Sequence, residues 1–443
     1  MMPILASVSS LFAAVMLFML GNSLLAITLP LKLESAGIAN EVTGIVMAAY
    51  FGGLLVGCIY GKTLILRVGH IRAFAGLSAL NVAAILGHAM LFDPIAWVFL
   101  RFVSGLCIAG IFSALESWLN DRTDNENRGG VLGVYMVITY IAMALGQLSI
   151  NVWTVDSLAG FIAAALLTSL AIVPVALTHA EAPSLAQAAP LTLRQLYGTS
   201  PLAFTAAVCS GLMVGAFWGM GAIFSREIGF SVFQTSLFMG SYIVGGMLLQ
   251  IPIGRLSDRF DRRTVLGNLL AAAAMVCVAG VTAGHLGDPL ALVLVLAALL
   301  GGAISNVYPL SMAQAFDYLD RSRYVAGASR LLMSFSVGAI GGPLICSLAM
   351  SWLGPHAFFG YIGLVAAVLA GFVLYRMAKR KPLPVADQQE FVALPRMSPV
   401  GATLDPRGTP QEDAAAEATA AEAATAEAAT VKTEAADQAA ATD

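Results

Sequence analysis

The sequence predicts an all-α polytopic membrane protein with twelve transmembrane helices in two sets of six. Three observations carry that prediction. Hydrophobic residues make up 58% of the chain, where a soluble domain holds about 45–50%. They arrive in segments of about 20 residues, enough to cross a hydrocarbon core at ~1.5 Å per residue. Charged residues are only 11% of the chain, and most of them fall between those segments. The mean hydropathy of +0.83 agrees.

The spans run over about 8–31, 42–61, 71–92, 95–119, 130–151 and 157–178, then about 202–225, 231–253, 264–284, 289–315, 325–352 and 356–377. The first follows Met1-Met2-Pro3 without a basic segment, so it reads as a retained helix and not as a cleaved signal. Glycines recur through the runs, as in helices that pack closely in lipid; Gly53 with Gly57, Gly211 with Gly215 and Gly338 with Gly342 are small-xxx-small pairs. The cysteines Cys58, Cys107, Cys209, Cys277 and Cys346 all lie inside apolar runs and suggest no disulfide framework. Pro309 and Pro343 interrupt the tenth and eleventh runs and are expected to bend them.

Four regions follow: a six-helix bundle over 1–178, a central linker over 179–200, a second bundle over 201–378 and a tail over 379–443. The halves echo one another. Arg128-Gly-Gly-Val-Leu-Gly-Val-Tyr135, followed by Gly146, lies over Arg323 to Arg330, followed by Gly341, without a gap. Arg67-Val-Gly69 lies over Arg259-Phe-Asp261 at nearly the same offset, as in an internal duplication. The tail is an Ala/Glu/Thr tract with few large apolar residues, so it is expected to be disordered.

Lys and Arg set the orientation. With the even-numbered turns and both termini on the cytoplasmic side, that side holds Lys62, Arg67, Arg72, Arg122, Arg128, Arg194, the arginines of residues 255–263, Arg321, Arg323 and the cluster from Arg376 to Lys381. The other side holds little beyond Lys32 and Arg226. The bias predicts a multi-pass protein of the inner (plasma) membrane with both termini inside.

The densest charge cluster is Gly254-Arg255-Leu256-Ser257-Asp258-Arg259-Phe260-Asp261-Arg262-Arg263, between two long apolar runs. Such a cluster cannot lie in hydrocarbon and is expected to be a tight turn at a membrane face. Its pattern Gly-x-Leu-Ser-Asp-Arg-x-x-Arg-Arg resembles a loop signature of the major facilitator superfamily of transporters, and residues 8–378 resemble that fold throughout. The resemblance implies a gating latch at Gly254, Asp258, Arg259, Arg262 and Arg263. An acid near a helix N-terminus gains from its free N–H groups, so the start of the fifth helix near Gly129-Gly130 is the expected partner of Asp258. The arginines are expected to meet Asp317, Asp320, Glu116 or Asp121. A solvated, purely orienting role is the plain alternative. The first-half copy keeps Arg67 and Gly69 but carries Leu66 where the acid belongs, so a symmetrical gate is not expected.

Arg101-Phe-Val-Ser-Gly105-Leu-Cys-Ile-Ala109 resembles a second family signature, with Cys107 in place of a glycine. In the family such an arginine is proposed to steer coupling or substrate. Two readings stand for Arg101: it faces a cavity, or it snorkels to the near interface. Glu116 lies fifteen residues further on, about 22 Å down the same helix, as a protonatable switch or a partner of the charged turns. Arg330 is expected to bind an anionic group or neutralise Glu116. Asn22, Gln147, Asn151, Trp218, Asn306 and Tyr308 complete the candidate substrate and coupling set; each alone is more often a packing contact.

The expected function is secondary active transport of a small organic solute by alternating access, with efflux favoured and protons as the family's coupling ion. The protein is expected to be a monomer with lipid as its solvent and no nucleic-acid partner. No metal or cofactor is called for: four arginines crowd Asp258 and Asp261, which disfavours a divalent cation, and no phosphate-binding glycine loop occurs. An integral-membrane enzyme and a transport-inactive sensor or scaffold acting through its tail are the alternatives.

Overall fold

A computed structural model of the chain describes residues 8–123, 125–177, 191–392 and 398–405. Among the described residues there are twelve helices long and apolar enough to cross a membrane. They are α1 (Ser9–Ser35), α2 (Asn40–Val68), α3 (His70–Met90), α4 (Pro94–Asp121), α5 (Asn125–Ser149) and α6 (Ala159–Leu170, with a further turn Ile172–Ala176). A short linker helix, Leu193–Thr199, precedes the second six. Those are α7 (Pro201–Glu227), α8 (Val232–Arg259), α9 (Arg262–Ala283), α10 (Leu290–Phe316), α11 (Tyr324–Leu353) and α12 (Ala357–Lys379).

Local signals place the helix starts. Asp93 caps α4 by accepting from the Ala96 N–H at 2.8 Å, with Pro94 in the first turn. Ser231 and Gln234 form a reciprocal capping box at α8. Between α2 and α3 the chain reverses at Gly69, whose φ of 85° suits a residue without Cβ.

The charged decapeptide differs from the tight turn expected of it. Helix α8 continues through Arg259, and only Phe260 and Asp261 separate it from α9. A helix leaving hydrocarbon can carry charges on its last turns, and Asp261 caps the next helix by accepting from the Arg263 N–H at 3.0 Å.

The two bundles repeat one pattern of contacts. In the first, α1 packs on α5 and α6, α2 on α4, and α3 on α4 and α6. In the second, α7 packs on α11 and α12, α8 on α10, and α9 on α10 and α12. The halves meet through α2 with α11 and α5 with α8, which is the same pairing exchanged between halves. This is a pseudo-twofold 6+6 arrangement.

The equivalent crossings use equivalent glycines. A Cβ on Gly53 of α2 collides with the Phe102 carbonyl of α4, and one on Gly105 of α4 collides with the Tyr50 carbonyl of α2. In the second half, Gly245 meets the Ala298 carbonyl and Gly301 the Tyr242 carbonyl in the same way. In lipid, where apolar contact is no cheaper between helices than with chain tails, close backbone approach supplies the packing energy. The small-xxx-small pairs sit at such crossings too: Gly211 and Gly215 of α7 on Phe335 and Ala339, Gly338 and Gly342 of α11 on Val208 and Leu212.

The expectation of a disordered tail from residue 379 is corrected for part of its length. Val385–Asp387 and Pro399–Leu404 form 3-10 turns, and Ser398, Val400, Leu404 and Asp405 are buried. Most of the Ala/Glu tract, residues 406–443, lies outside the described residues, as does most of the central linker, residues 178–190.

Candidate functional site

A cavity of about 130 Å³ lies between the halves, walled by both. Helices α1, α2, α4 and α5 contribute Asn22, Tyr50, Arg101, Tyr135, Thr139 and Tyr140; α7, α8, α10 and α11 contribute Trp218, Tyr242, Gln250, Ser305 and Phe335. Methionines 19, 47, 136 and 143 fill much of the remaining wall. Such unbranched, polarisable side chains adapt to more than one ligand shape.

Arg101 faces this cavity and does not snorkel. Its residue is 3% exposed and its guanidinium stacks over the Tyr50 ring at 4.6 Å. The Tyr50 hydroxyl shares a hydrogen bond with Asn22. Nε and Nη1 of Arg101 have no hydrogen-bond partner among the described residues. A cation within a span costs up to roughly 3 kcal/mol on insertion scales, and a desolvated cation–π contact returns about 2 kcal/mol. Part of the cost therefore stands uncompensated, and no carboxylate is among the residues that line the cavity.

On the opposite side of the cavity wall, the Ser305 hydroxyl donates to Tyr242 Oη at 3.0 Å. Tyr242 stacks on Phe217 at 3.7 Å and meets Trp218 edge-on at 6.2 Å. These residues give the cavity aromatic faces with a few hydroxyl groups.

Of the other expected site residues, Asn22 and Trp218 line the cavity. Gln147 is buried behind it and donates to the Ser23 carbonyl at 3.0 Å and Ser23 Oγ at 2.9 Å, joining α5 to α1. Asn306 donates to the Gly302 carbonyl of its own helix at 2.6 Å, and Tyr308 is buried against Phe335 with ring centroids 5.3 Å apart. Asn151 donates to Ser236 Oγ at 2.9 Å across the two halves. Arg330 neither reaches the cavity nor pairs with Glu116: its Nε donates to the Leu191 carbonyl at 2.7 Å, tying α11 to the end of the linker.

Tyr50, Tyr135, Thr139, Tyr140, Tyr242, Gln250 and Ser305 are cavity residues that the sequence reading omitted. Residues 135, 139 and 143, and 136, 140 and 143, make an i, i+3, i+4 stripe along α5 that mixes hydroxyls with methionines. That stripe was the available signal.

The two ends of the cavity differ. At the face without the arginine cluster the halves touch directly. Arg226 Nε lies 3.3 Å from Glu34 Oε2, Asn40 donates to Glu227 Oε1 at 2.7 Å, and Gly44 of α2 abuts Ser347 of α11. Lys32 pairs with Asp156 at 3.2 Å in the same region and, as the leading cause, holds that exposed carboxyl below its ordinary range. The Glu34–Arg226 and Asn40–Glu227 contacts between the halves are partly exposed and worth up to about 1 kcal/mol each. Replacing Glu34 and Glu227 together by glutamine is accordingly expected to shift the population towards opening of this face by about fivefold. Spin-label distances between the ends of α1 and α7 check it; an unchanged distance distribution shows that packing alone holds the closure.

At the arginine-rich face the expected latch has a different partner. Asp258 Oδ1 accepts from the Phe391 N–H of the tail at 2.7 Å, not from the start of α5 near Gly129-Gly130. A Cβ on Gly254 meets the Phe391 ring. Arg262, with its side chain 1% exposed, pairs through Nε with Asp317 Oδ2 of α10 at 3.1 Å and donates to the Gln389 carbonyl. Arg263 pairs with Asp261 of its own turn at 2.8 Å and donates to the Arg380 carbonyl at 2.8 Å. Arg259 and Arg67 are exposed. Glu116 accepts from the Tyr135 hydroxyl at 2.9 Å, from Ser398 Oγ and from the Gly401 N–H, so tail and not arginine satisfies it.

Comparison with known proteins agrees with this architecture. The chain is 28% identical over 382 residues to the uncharacterized MFS-type transporter YcaD of Escherichia coli, covering 85% of this chain and 97% of the relative. The Salmonella newport YcaD is also 28% identical, over 386 residues with the same coverage. The solved structure of the nucleoside transporter NupG superposes with a TM-score of 0.70 at 13% identity, over 85% of this chain and 99% of that one. The human organic anion transporter MFSD10 superposes with a TM-score of 0.58 at 13% identity, over 84% and 99%. At such identities these structures speak to the fold alone. The family model for the Major Facilitator Superfamily matches residues 11–202 and 203–422, one match per half, and the chain therefore belongs to that superfamily of membrane transporters.

Proposed function

We propose that the protein is a secondary transporter that moves a small organic solute by rocking its two halves about the central cavity. The observation that supports this best is Arg101, a buried cation in the cavity wall with two nitrogens left without acceptors. Membrane proteins place such charges at substrate or ion pathways. The preferred solute carries an anionic group for the guanidinium and an apolar or aromatic body for the walls of Met, Phe and Trp. Adaptable methionines and a mostly apolar lining fit a range of related solutes and an efflux role.

The arginine-rich face is read as cytoplasmic, following the distribution of Lys and Arg. The state described here is then inward-facing, with its external side closed by the Glu34–Arg226 and Asn40–Glu227 contacts. Proton coupling is proposed from the family alone.

Reconstituted counterflow tests this reading. Purified protein in liposomes is offered aromatic carboxylates beside their neutral amides, with and without a pH gradient. Saturable flux that prefers the carboxylates is expected, and the gradient's effect reads out coupling and direction. A preference for the neutral amides would rule out the assigned role of Arg101.

A further inference from the structure

Beyond Lys379 the described residues of the chain, 380–392 and 398–405, lie against the bundle at the arginine-rich face, the first stretch on one half and the second on the other. Close to α12 it is fixed to the second half: the Arg380 guanidinium stacks over Tyr318 at 4.3 Å, the Gln389 N–H donates to Asp317 Oδ1 at 3.0 Å, and the Phe391 N–H donates to Asp258. Further along it is fixed to the first half: Ser398 Oγ and the Gly401 N–H donate to Glu116 of α4, and the Asp405 carboxylate lies within electrostatic reach of Arg128 of α5. The turn Pro399–Leu404 also packs on α11. Leu404 is 0% exposed and Glu116 is 0% exposed, so this contact is an interior one.

We propose that residues 385–392 and 398–405 form a resident plug, and that the gap between the halves at this face is a binding site for these parts of the chain's own C-terminal segment. The site is chemically specific. Asp258 and Glu116 supply carboxylate acceptors on opposite halves, Gly254 leaves room for the Phe391 ring, and the segment supplies backbone N–H groups and one hydroxyl to meet them. The plug also occupies the acid of the latch. The segment lies between Asp258 of α8 and Glu116 of α4, so closing this face requires the segment to leave. A seated plug therefore holds the molecule in the state described here and slows the transport cycle. Its effect on flux rests on the alternating-access reading; its seating does not.

The test uses detergent-purified full-length protein carrying Met136→Cys in the cavity wall. N-ethylmaleimide labelling at position 136 is followed by mass spectrometry. Four forms are compared: the full chain, a chain ending at Asp405, a chain ending at Lys381, and the full chain with Ser398→Glu, which sets a second carboxylate against Glu116. The first two are expected to label at the same slow rate, and the last two about tenfold faster. The Ser398→Glu form decides the matter if truncation at Lys381 impairs folding. Equal labelling in all four overturns the plug. The same truncation and substitution, without the cysteine, are expected to raise flux in liposomes several-fold. Faster labelling with unchanged flux overturns the plug's hold on the cycle. Faster labelling with no flux from any form counts against the transport reading and leaves the plug standing.

Discussion

Replacing Arg101 by glutamine is expected to lower transport of the best reconstituted solute by about a hundredfold. The reasoning is one of balance. The guanidinium is buried, stacked on Tyr50 and short of acceptors. On the proposed reading an anionic solute completes it, and removing one partner of a buried charge pair costs about 2–5 kcal/mol. Without the solute the same charge is a burden, so the glutamine variant is expected to melt no lower than the parent. Arg101→Lys keeps the charge but loses the planar fork and the stacking, and an intermediate loss is expected. The measurement is kcat/KM in liposomes beside a thermal melt. Parental transport by the glutamine variant would sink the assignment, and a fall in melting temperature would recast Arg101 as structural.

Gly105→Leu is expected to have the largest effect on stability. The added side chain drives into the Tyr50 carbonyl, a backbone atom that cannot step aside. Overpacking of a tight core costs about 1–3 kcal/mol and more where backbone must move. The crossing of α2 and α4 should open, with loss of folded protein after detergent extraction. Gly301→Leu, at the matching crossing of α10 on α8, should do the same to the second half. Gly76→Ala is the control, since a Cβ there meets nothing within 4 Å. Size-exclusion profiles and thermal melts distinguish the three; a stable Gly105→Leu would mean that the crossing is not the close one described.

The spans were legible because hydropathy depends on composition and length, and twelve apolar runs need no partner to be recognised. The duplication was legible through its charged turns; its firmer trace, the glycines at 53 and 105 set against 245 and 301, needed the crossings to be seen. The cavity lining was harder. Helices that are apolar all round carry no period that says which face turns inward. Asn22, Arg101 and Trp218 stood out as unusual in their runs, whereas Tyr135 and Thr139 look unremarkable until α5 is placed. The contact of Arg330 was not legible because its acceptor, the Leu191 carbonyl, is backbone and leaves no mark in the sequence. The tail failed for a related reason. Its hold on the bundle comes from a few residues, Phe391, Ser398 and Leu404 among them, scattered through polar chain that composition alone labels unstructured.

The seat of that tail separates two properties that transporters are usually described by together. On the proposed reading, selectivity resides in the cavity, among residues fixed by helix packing. If the plug holds the cycle as proposed, tempo resides in a short stretch of chain beyond the last span, seated between the halves. Two relatives with identical cavities and different C-terminal segments would choose the same cargo and carry it at different speeds. A graft of residues 382–405 between them is therefore a way to exchange pace without exchanging taste.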